Sequence, residues 1–592
     1  MKRFLIICTL FCTLFVCAQN EQLAQNYYDK GDFEKALISY ESLLKTQNGN
    51  SFFFQRTVEC YQQLSQFDKA NKLIQERLNQ FNQPGTLVEL GYNFQLQKDV
   101  TTAKKYYQQA LDKINKNPNF VYEIAPTFEK KNLVDYALQA YELALKLEPK
   151  FNFNFQMALL YGQQGNTELM IEKFLTESFS NPQNLIPIQN QFSRFISEDT
   201  QETFNSQLKK ALLLRTQKNQ DLFWNQYLSW FYVQQKEFGK AFIQEKAIYK
   251  RNPESFATII NLAKLAVDEN EEATAKEIYA FILENTLDLE LKIQAHFYIE
   301  KIKISNATEK EYPAIQAELE LLLQEFGISP YSLPLQKLLA NFTTFNRNNP
   351  DLGKQLLKKA MELPLNQFQI ADLKMELGDE LLYQEKFNQA LLLYTQIEDD
   401  LKNDAVGHEA SLKIAKTSYY QTDFTWATKQ LTQLKSASTQ LIANDALDLL
   451  LLITDSTVAD STQTALKKFA RADFLIFQNK MPAALAAYQA ILKEHKTDEI
   501  IPVTLLRVGK IYEKMGDYTA ALANYQRIFE EFKESIYVDE AYYYAATLAN
   551  ENLKDIEKAK SYYEQLIFHH EDSIFYTDAR KKYRQLRGDK DL

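Results

Sequence analysis

Hydrophobic and polar positions along this 592-residue chain repeat with a period of about 34 residues. In the first four units an alanine is followed four positions later by a bulky apolar residue and preceded nine positions earlier by an aromatic one. The alanines are Ala36, Ala70, Ala103 and Ala137, the later residues are Tyr40, Ile74, Tyr107 and Tyr141, and the earlier ones are Tyr27, Tyr61, Phe94 and Phe128. Because residues four apart share one face of a helix, the spacing predicts pairs of helices that each bury one face.

The sequence between the two helices of a pair predicts a tight turn. Gly-Asp precedes the second helix at residues 31–32 and again at 516–517. Glycine adopts the left-handed backbone that ends a helix at low cost, and alanine lets two helix backbones approach. One pair cannot bury its own apolar face, so the pairs must stack in a row. The pattern therefore predicts roughly fifteen stacked helical pairs.

The period and the pattern resemble the tetratricopeptide repeat. The clearest units are residues 157–182, 377–394 and 508–525. The last has Val508-Gly509 in its first helix and Ala521 and Tyr525 in its second, and the middle one has Leu377-Gly378 followed by Ala390 and Tyr394. The first has Tyr161 followed by Phe174 and Pro182. The resemblance implies an all-α, right-handed superhelical solenoid of helix-turn-helix repeats. Residues assigned to this structural signature are Gly31, Ala36, Tyr40, Ala70, Gly91, Ala103, Ala137, Tyr161, Ala390, Gly509, Gly516, Ala521 and Tyr525.

The array is uneven, and its irregular stretches suggest boundaries. The phase is lost between Pro182 and Gln220, five prolines punctuate residues 295–369, and the polar segment Asp455–Thr464 is interpreted as a loop. Prolines end or kink helices, so the middle of the array is expected to bend or hinge. The predicted segments are 1–18 for a signal peptide, 19–182 for an N-terminal array, 183–370 for irregular repeats with hinges, 371–455 for further repeats and 464–592 for a C-terminal module with a capping helix.

The C-terminal units are longer than the others, at 37 and 38 residues between successive alanines. They are similar to the repeats of bacterial envelope scaffolds, including the repeat subunit of the outer-membrane barrel-assembly machine and the periplasmic repeat protein associated with the Tol-Pal system. This similarity covers about the last 130 residues. It implies a role in the cell envelope.

The N-terminus has the pattern of a secretory signal peptide. Lys2 and Arg3 precede the uncharged apolar run Phe4–Val16, and Ala18 offers a small residue for cleavage. Cleavage after Ala18 is expected, with lipidation of Cys17 as the less favoured alternative. The mature chain would then be exported to the periplasm or to the periplasmic face of the outer membrane, with Cys60 as its single cysteine and a buried thiol.

Composition and motifs argue against several classes of function. The net charge of −10 provides no basic face for nucleic acid. The chain has five histidines and fourteen scattered glycines, with no metalloprotease motif, phosphate-binding loop or nucleophile elbow. We therefore expect no enzymatic activity, no cofactor and no metal site.

Candidate binding residues follow from the resemblance, because tetratricopeptide solenoids expose positions of their first helices on a concave surface. In the second to fifth units these positions are Arg56, Glu59, Glu89, Tyr92, Tyr122, Glu123, Asn152, Phe155 and Gln156. The set is mainly aromatic and acidic, which suits an extended peptide, a basic helix or a glycan stacked on rings. The same residues could instead pack against the next unit.

Two functions follow from these observations. The first is a non-enzymatic scaffold of the cell envelope that presents a concave groove to one or more proteins or extended peptides. The alternative is a periplasmic module that binds cell-wall glycan or polysaccharide through its aromatic residues. The basic run Asp578–Lys590 allows peripheral contact with the outer membrane or cell wall, although such a helix more often caps the last repeat.

Overall fold

A computed structural model describes residues 20–81, 83–197, 202–437, 440–458, 462–495 and 499–588. The predicted signal peptide, with Ala18 and Cys17, lies outside these ranges. The described residues form α-helices joined by short turns, with two short 3₁₀ turns at Pro118–Phe120 and Pro182–Asn184 and no strand among them. The all-α prediction is confirmed.

The helices divide into two compact units. Unit one holds the described residues up to Ser197 together with Phe204–Arg215, and unit two holds those from Thr216 onward. Unit one contains α1 (20–29), α2 (Phe33–Thr46), α3 (Ser51–Gln63), α4 (Phe67–Phe81), α5 (Thr86–Leu96), α6 (Val100–Lys116), α7 (Val121–Lys130), α8 (Val134–Leu147), α9 (Asn154–Gln163), α10 (Thr167–Ser180), α11 (Leu185–Ser197) and most of α12 (Glu202–Lys218).

Unit two begins with helical pairs of the same kind. They are α13 (Leu222–Gln234), α14 (Phe238–Arg251), α15 (Ala257–Asp268), α16 (Glu272–Asn285), α17 (Leu289–Asn306), α18 (Tyr312–Phe326), α19 (Leu333–Phe345), α20 (Pro350–Ala360), α21 (Gln367–Tyr383), α22 (Phe387–Asp400), α23 (Ala405–Tyr420) and α24 (Phe424–Ala437). The rest are α25 (Gln440–Val458), α26 (Thr464–Phe477), α27 (Met481–Glu494), α28 (Ile501–Lys514), α29 (Tyr518–Glu531), α30 (Val538–Glu551), α31 (Ile556–His569) and α32 (Tyr576–Arg587).

The repeated alanines and tyrosines lie where the two helices of a pair meet. Ala36, Tyr40, Ala521 and Tyr525 have no exposed surface. The tyrosine also packs on the first helix of its pair at a glycine: a Cβ added at Gly509 would lie 2.4 Å from Tyr525 Cε1. Gly91 and Gly378 approach Tyr107 and Tyr394 in the same way. The pattern thus reflects close packing within each pair.

The tyrosine hydroxyl of many pairs reaches back to a polar residue on the first helix. Tyr525 donates to Glu513 at 2.7 Å, and Tyr394 donates to Asp379 at 2.6 Å. These acceptors satisfy a hydroxyl that would otherwise be buried without a partner. The repeat therefore contains a buried polar contact as well as an apolar seam.

The turn within most of the described pairs contains a residue with left-handed backbone, as Gly-Asp predicts, whereas the connection between α17 and α18 contains none. Gly31, Gly165 and Gly516 have φ of 76°, 72° and 78°. In other pairs the same kind of turn is made by a residue with a side chain, and these are Ser65, Lys98, Asn132, Lys236, Asn270, Glu385, Thr422, Asn479 and Lys554. The following aspartate caps the second helix, since the Asp32 carboxylate accepts from the Lys35 N–H.

Gly516→Ala is expected to lower the free energy of unfolding by about 1 kcal/mol, because φ of 78° is unfavourable for a residue with a Cβ. No atom lies within 4 Å of that Cβ, so the cost would come from the backbone alone. The shift of the urea midpoint, followed by circular dichroism, measures it. Gly239→Ala in α14 is the matched control and should be neutral or slightly stabilising, because its φ is not positive.

The prolines of the irregular middle do not interrupt helices. Pro313, Pro334 and Pro350 lie in the first turns of α18, α19 and α20, where the missing N–H costs nothing. Pro330 and Pro364 lie in connections between helices. The interpretation of Asp455–Thr464 as a loop was partly wrong, because α25 continues to Val458.

One further prediction concerns Cys60. Cys60 is a free thiol with no exposed surface, as expected. Burial raises its pKa to about 12, so it stays protonated at neutral pH. None of the helices within the described ranges is both long and apolar enough to span a bilayer.

Candidate functional site

Four of the predicted concave residues of unit one meet around a lysine that lies outside the predicted set. The Lys131 Nζ, just after α7, lies 3.0 Å from the Glu89 carboxylate and 3.9 Å from that of Glu59. It also lies 5.1 Å from the centre of the Tyr92 ring. Arg56 completes the group by pairing with Glu59 at 2.9 Å. We call these five residues the Lys131 cluster.

The charges of the Lys131 cluster are largely used within the fold. The Lys131 side chain is only 6% exposed. Burial raises the pKa of Glu89, and the Lys131 charge opposes that rise. The Tyr28 hydroxyl donates to Glu59 at 3.0 Å, and the Arg56 guanidinium lies 4.1 Å from the Tyr28 ring centre. The cluster thus joins three consecutive helical pairs and contacts a fourth through Tyr28.

The other predicted residues lie farther along unit one. Tyr122 is 59% exposed but meets Phe151 and Phe153 edge to face at 5.5 Å and 5.4 Å. The Glu123 carboxylate accepts from the Gly85 N–H at 2.9 Å, next to the start of α5.

The fifth unit adds three residues with separate surroundings. Asn152 donates to Glu177 at 2.6 Å, and Phe155 meets Phe174 edge to face at 5.5 Å. Gln156 is exposed. The Tyr122 and Phe155 rings are held edge to face against neighbouring rings and do not lie side by side as a stacking platform.

A larger concave site lies in unit two. A cavity of about 840 Å³ opens between the first helices of successive pairs, α23, α26, α28 and α30, with α25 as a further wall. We call it the inner groove. Its apolar lining includes Leu506, Tyr544 and Phe575. At its rim Ile536 is 63% exposed and Ile574 is 88% exposed. Large aliphatic side chains in a concave surface favour an apolar or amphipathic ligand.

An aspartate on α26 organises the floor of the inner groove. Asp473 accepts a hydrogen bond from Tyr419 at 2.8 Å and a second one from Tyr488. Its carboxylate also lies 3.6 Å from the Arg507 guanidinium on α28. Burial, followed by the Asp473 charge, raises the pKa of Tyr419 and of Tyr488, so both hydroxyls remain donors.

The helix α28 presents a basic stripe to the inner groove. Arg507, Lys510 and Lys514 follow one another at intervals of three and four residues, which places them on one helix face. Lys510 pairs with Glu540 on α30 at 2.9 Å, and its ammonium lies 4.5 Å from the centre of the Tyr544 ring. The stripe therefore joins positive charge to an aromatic surface.

The inner groove has a partial signal in the sequence. The concave residues of the earlier units were predicted from their positions in the first helix of each pair. In the unit around Gly509 the same positions are occupied by Arg507 and Lys510. The predicted set ended at the fifth unit and therefore missed both residues. The wall formed by α25 has no such signal, because that helix carries no repeat signature.

The described residues offer little for catalysis. No three histidine, cysteine, aspartate or glutamate side chains among them are grouped in a way that could hold a metal ion. The polar groups of the inner groove are mostly paired with one another, and none is a nucleophile beside a base. The arrangement is suited to binding.

Comparisons with known proteins give one family match, in the C-terminal part of the chain. A family model of the tetratricopeptide repeat matches residues 504–535 and 540–573, which include parts of α28–α31. None of the curated proteins compared with the chain matches it. A chain of the crystal structure of the APC/C hetero-tetramer Cut9–Hcn1 is similar at 11% identity and a TM-score of 0.26, and the alignment covers 96% of this chain and 98% of that one. A chain of the structure of Naa15/Naa10 bound to HypK-THB is similar at 11% identity and a TM-score of 0.24, and the alignment covers 96% of this chain and 96% of that one.

Proposed function

We propose that this chain is a non-enzymatic protein–protein interaction scaffold. The observation that supports it best is the inner groove, in which exposed aliphatic side chains and a basic stripe lie together on the first helices of stacked pairs. A groove of this size and mixed chemistry suits a peptide segment or a helix of a partner protein. The match of residues 504–535 and 540–573 to a repeat family that binds proteins is consistent with this use.

We further propose that the scaffold works in the cell envelope, in the periplasm or at the periplasmic face of the outer membrane. The support is the N-terminal pattern of Lys2 and Arg3 followed by an apolar run and Ala18, together with the longer C-terminal units. The glycan alternative is not favoured, because the rings of Tyr92, Tyr122 and Phe155 are engaged by neighbouring side chains.

A photo-crosslinking residue at Ile536 tests the scaffold function in the full-length chain. We expect discrete crosslinks to partner proteins in intact cells of the source, because Ile536 lies at the rim of the inner groove. The control is the same residue at Phe568 on α31, which is 65% exposed and does not line the groove.

Two results would contradict the proposal. Equal crosslinking from Ile536 and Phe568, or none from Ile536, would remove the inner groove as the partner site. Recovery of the chain in the cytosolic fraction of the same cells would reject the envelope location.

A further inference from the structure

Helix α25 departs from the stacking of the other helices in unit two. It packs along α24, and Ala446 and Leu452 join the surrounding apolar core. The first helix of the next pair, α26, packs against both α25 and α23. Gln478, which follows α26, donates to the Tyr383 carbonyl at 2.7 Å. As a result α25 forms a wall of the inner groove that the repeat itself would not supply.

The wall formed by α25 has a simple composition. Its residues that line the inner groove are aspartates and leucines, namely Asp445, Asp448, Leu449, Leu451 and Leu452. The Asp445 carboxylate lies 3.7 Å from the Lys416 ammonium on α23. The chain therefore places one acidic, leucine-rich helix beside the basic helix α28 as a wall of the groove.

Two cations of the inner groove, Arg507 and Lys514, have no hydrogen-bonded acceptor among the described residues. The Arg507 guanidinium is 3.6 Å from Asp473, which is too long for a hydrogen bond. Lys514 is exposed and makes no ion pair with any residue in the described ranges. By contrast, Asp473 receives two tyrosine hydroxyls and Glu540 is paired with Lys510. A ligand that lies against α28 must therefore supply hydrogen-bond acceptors for these two donors.

Apolar groups surround this basic side. Ile536 and Ile574 stand at the rim, and Leu451 on α25 is 39% exposed. A ligand that covers them must offer aliphatic side chains on one face and carboxylates on the face that meets α28. Asp448 on the α25 wall would repel a carboxylate placed beside it. This repulsion fixes the orientation of the ligand in the groove.

We propose that the inner groove binds an acidic, leucine-rich amphipathic helix of a partner protein, with its carboxylates toward Arg507 and Lys514 and its aliphatic face toward Ile536, Ile574 and the leucines of α25. This inference rests on the proposed function and adds the chemical class of the partner. Helices that dock in grooves are anchored by side chains at positions i, i+3, i+4 and i+7, a spacing that also brings acidic residues to one edge.

The probe is a fluorescein-labelled peptide, acetylated and amidated, with the sequence IANDALDLLLLITD of residues 442–455 of this chain. Its fluorescence anisotropy is titrated with the full-length protein. We expect saturable binding that weakens as salt is raised.

Lys514→Glu should weaken the affinity about tenfold, in line with the loss of about 1.4 kcal/mol at a charged contact. Lys493→Glu on the outer helix α27 is the matched control and should leave the affinity unchanged, since Lys493 is exposed and away from the groove.

A peptide with its aspartates replaced by lysine separates charge from hydrophobicity without altering the protein. Binding at least as tight as that of the parent peptide would overturn the acidic preference. So would the absence of saturable binding, or an equal effect of Lys493→Glu and Lys514→Glu. If the peptide fails while Ile536 crosslinks persist, the partner class is wrong and the scaffold function stands. If both fail, both proposals are rejected.

Discussion

Asp473→Leu is expected to lower the free energy of unfolding by about 4 kcal/mol, because it leaves two buried tyrosine hydroxyls without an acceptor and each costs about 1–3 kcal/mol. Tyr419 and Tyr488 both donate to this carboxylate and are almost completely buried. Arg507 would also lose its neighbouring negative charge. Urea denaturation of the full-length chain, followed by circular dichroism, measures the change.

A rescue experiment separates unpaired hydroxyls from general damage to α26. Tyr419→Phe and Tyr488→Phe, added to Asp473→Leu, remove the donors together with their acceptor. Most of the lost stability should return, because replacing both partners of a hydrogen bond by apolar groups is close to neutral. If the triple variant is as unstable as Asp473→Leu alone, the two hydroxyls are not the cause.

Glu380→Gln is expected to stabilise the chain at pH 9 by a few kcal/mol while changing little at pH 4.5, because burial raises the pKa of Glu380 from 4.5 to about 8. Glu380 on α21 has no exposed surface. Glu376, one turn earlier, raises the pKa further, whereas Thr344 and Lys354 lower it. A neutral amide avoids the cost of burying a charge.

The direction of the pH effect on stability follows from the number of protons bound by the folded and the unfolded chain. Between pH 4.5 and pH 8 the folded chain holds a proton on Glu380 that the unfolded chain has released, so stability falls as pH rises through this window. Melting temperatures from pH 4.5 to pH 9 should therefore fall less steeply for Glu380→Gln than for the natural chain. Glu409→Gln, at an exposed position on α23, is the control. Parallel curves for the natural chain and Glu380→Gln would contradict the explanation.

The fold could be predicted from the sequence because its information is local. Each pair of helices is specified within about 34 residues by an alanine, an aromatic residue and a turn, and pairs such as Ala36 with Tyr40 need only their neighbours to define a seam. Turns formed by Lys98 or Glu385 were harder to recognise, since tertiary packing holds these residues in a backbone conformation that glycine prefers.

The candidate site was less predictable, because it depends on residues far apart in the sequence. Lys131 follows α7 and bears no repeat signature, yet it pairs with Glu89 from another helical pair. The inner groove needs α25 as a wall, and that helix interrupts the repeat. Positional rules select the exposed residues of a helix, but they do not say which charges are neutralised once the helices stack. The predicted concave residues of unit one remain a hypothesis.

The contact of the segment after α26 with α19 and α21 has a consequence for how the chain is made. Gln478 and Asn479 bond to the carbonyls of Tyr383 and Phe345, which lie 95 and 134 residues earlier. Most other helix contacts join neighbours in the sequence and can form as soon as each pair leaves the ribosome. This one must wait for a long loop to close. During synthesis, the sides of Phe345 and Tyr383 that meet Phe477 and Gln478 therefore stay open until α26 has emerged, so the middle of unit two exposes apolar surface for longer than a pair that packs only on its neighbours.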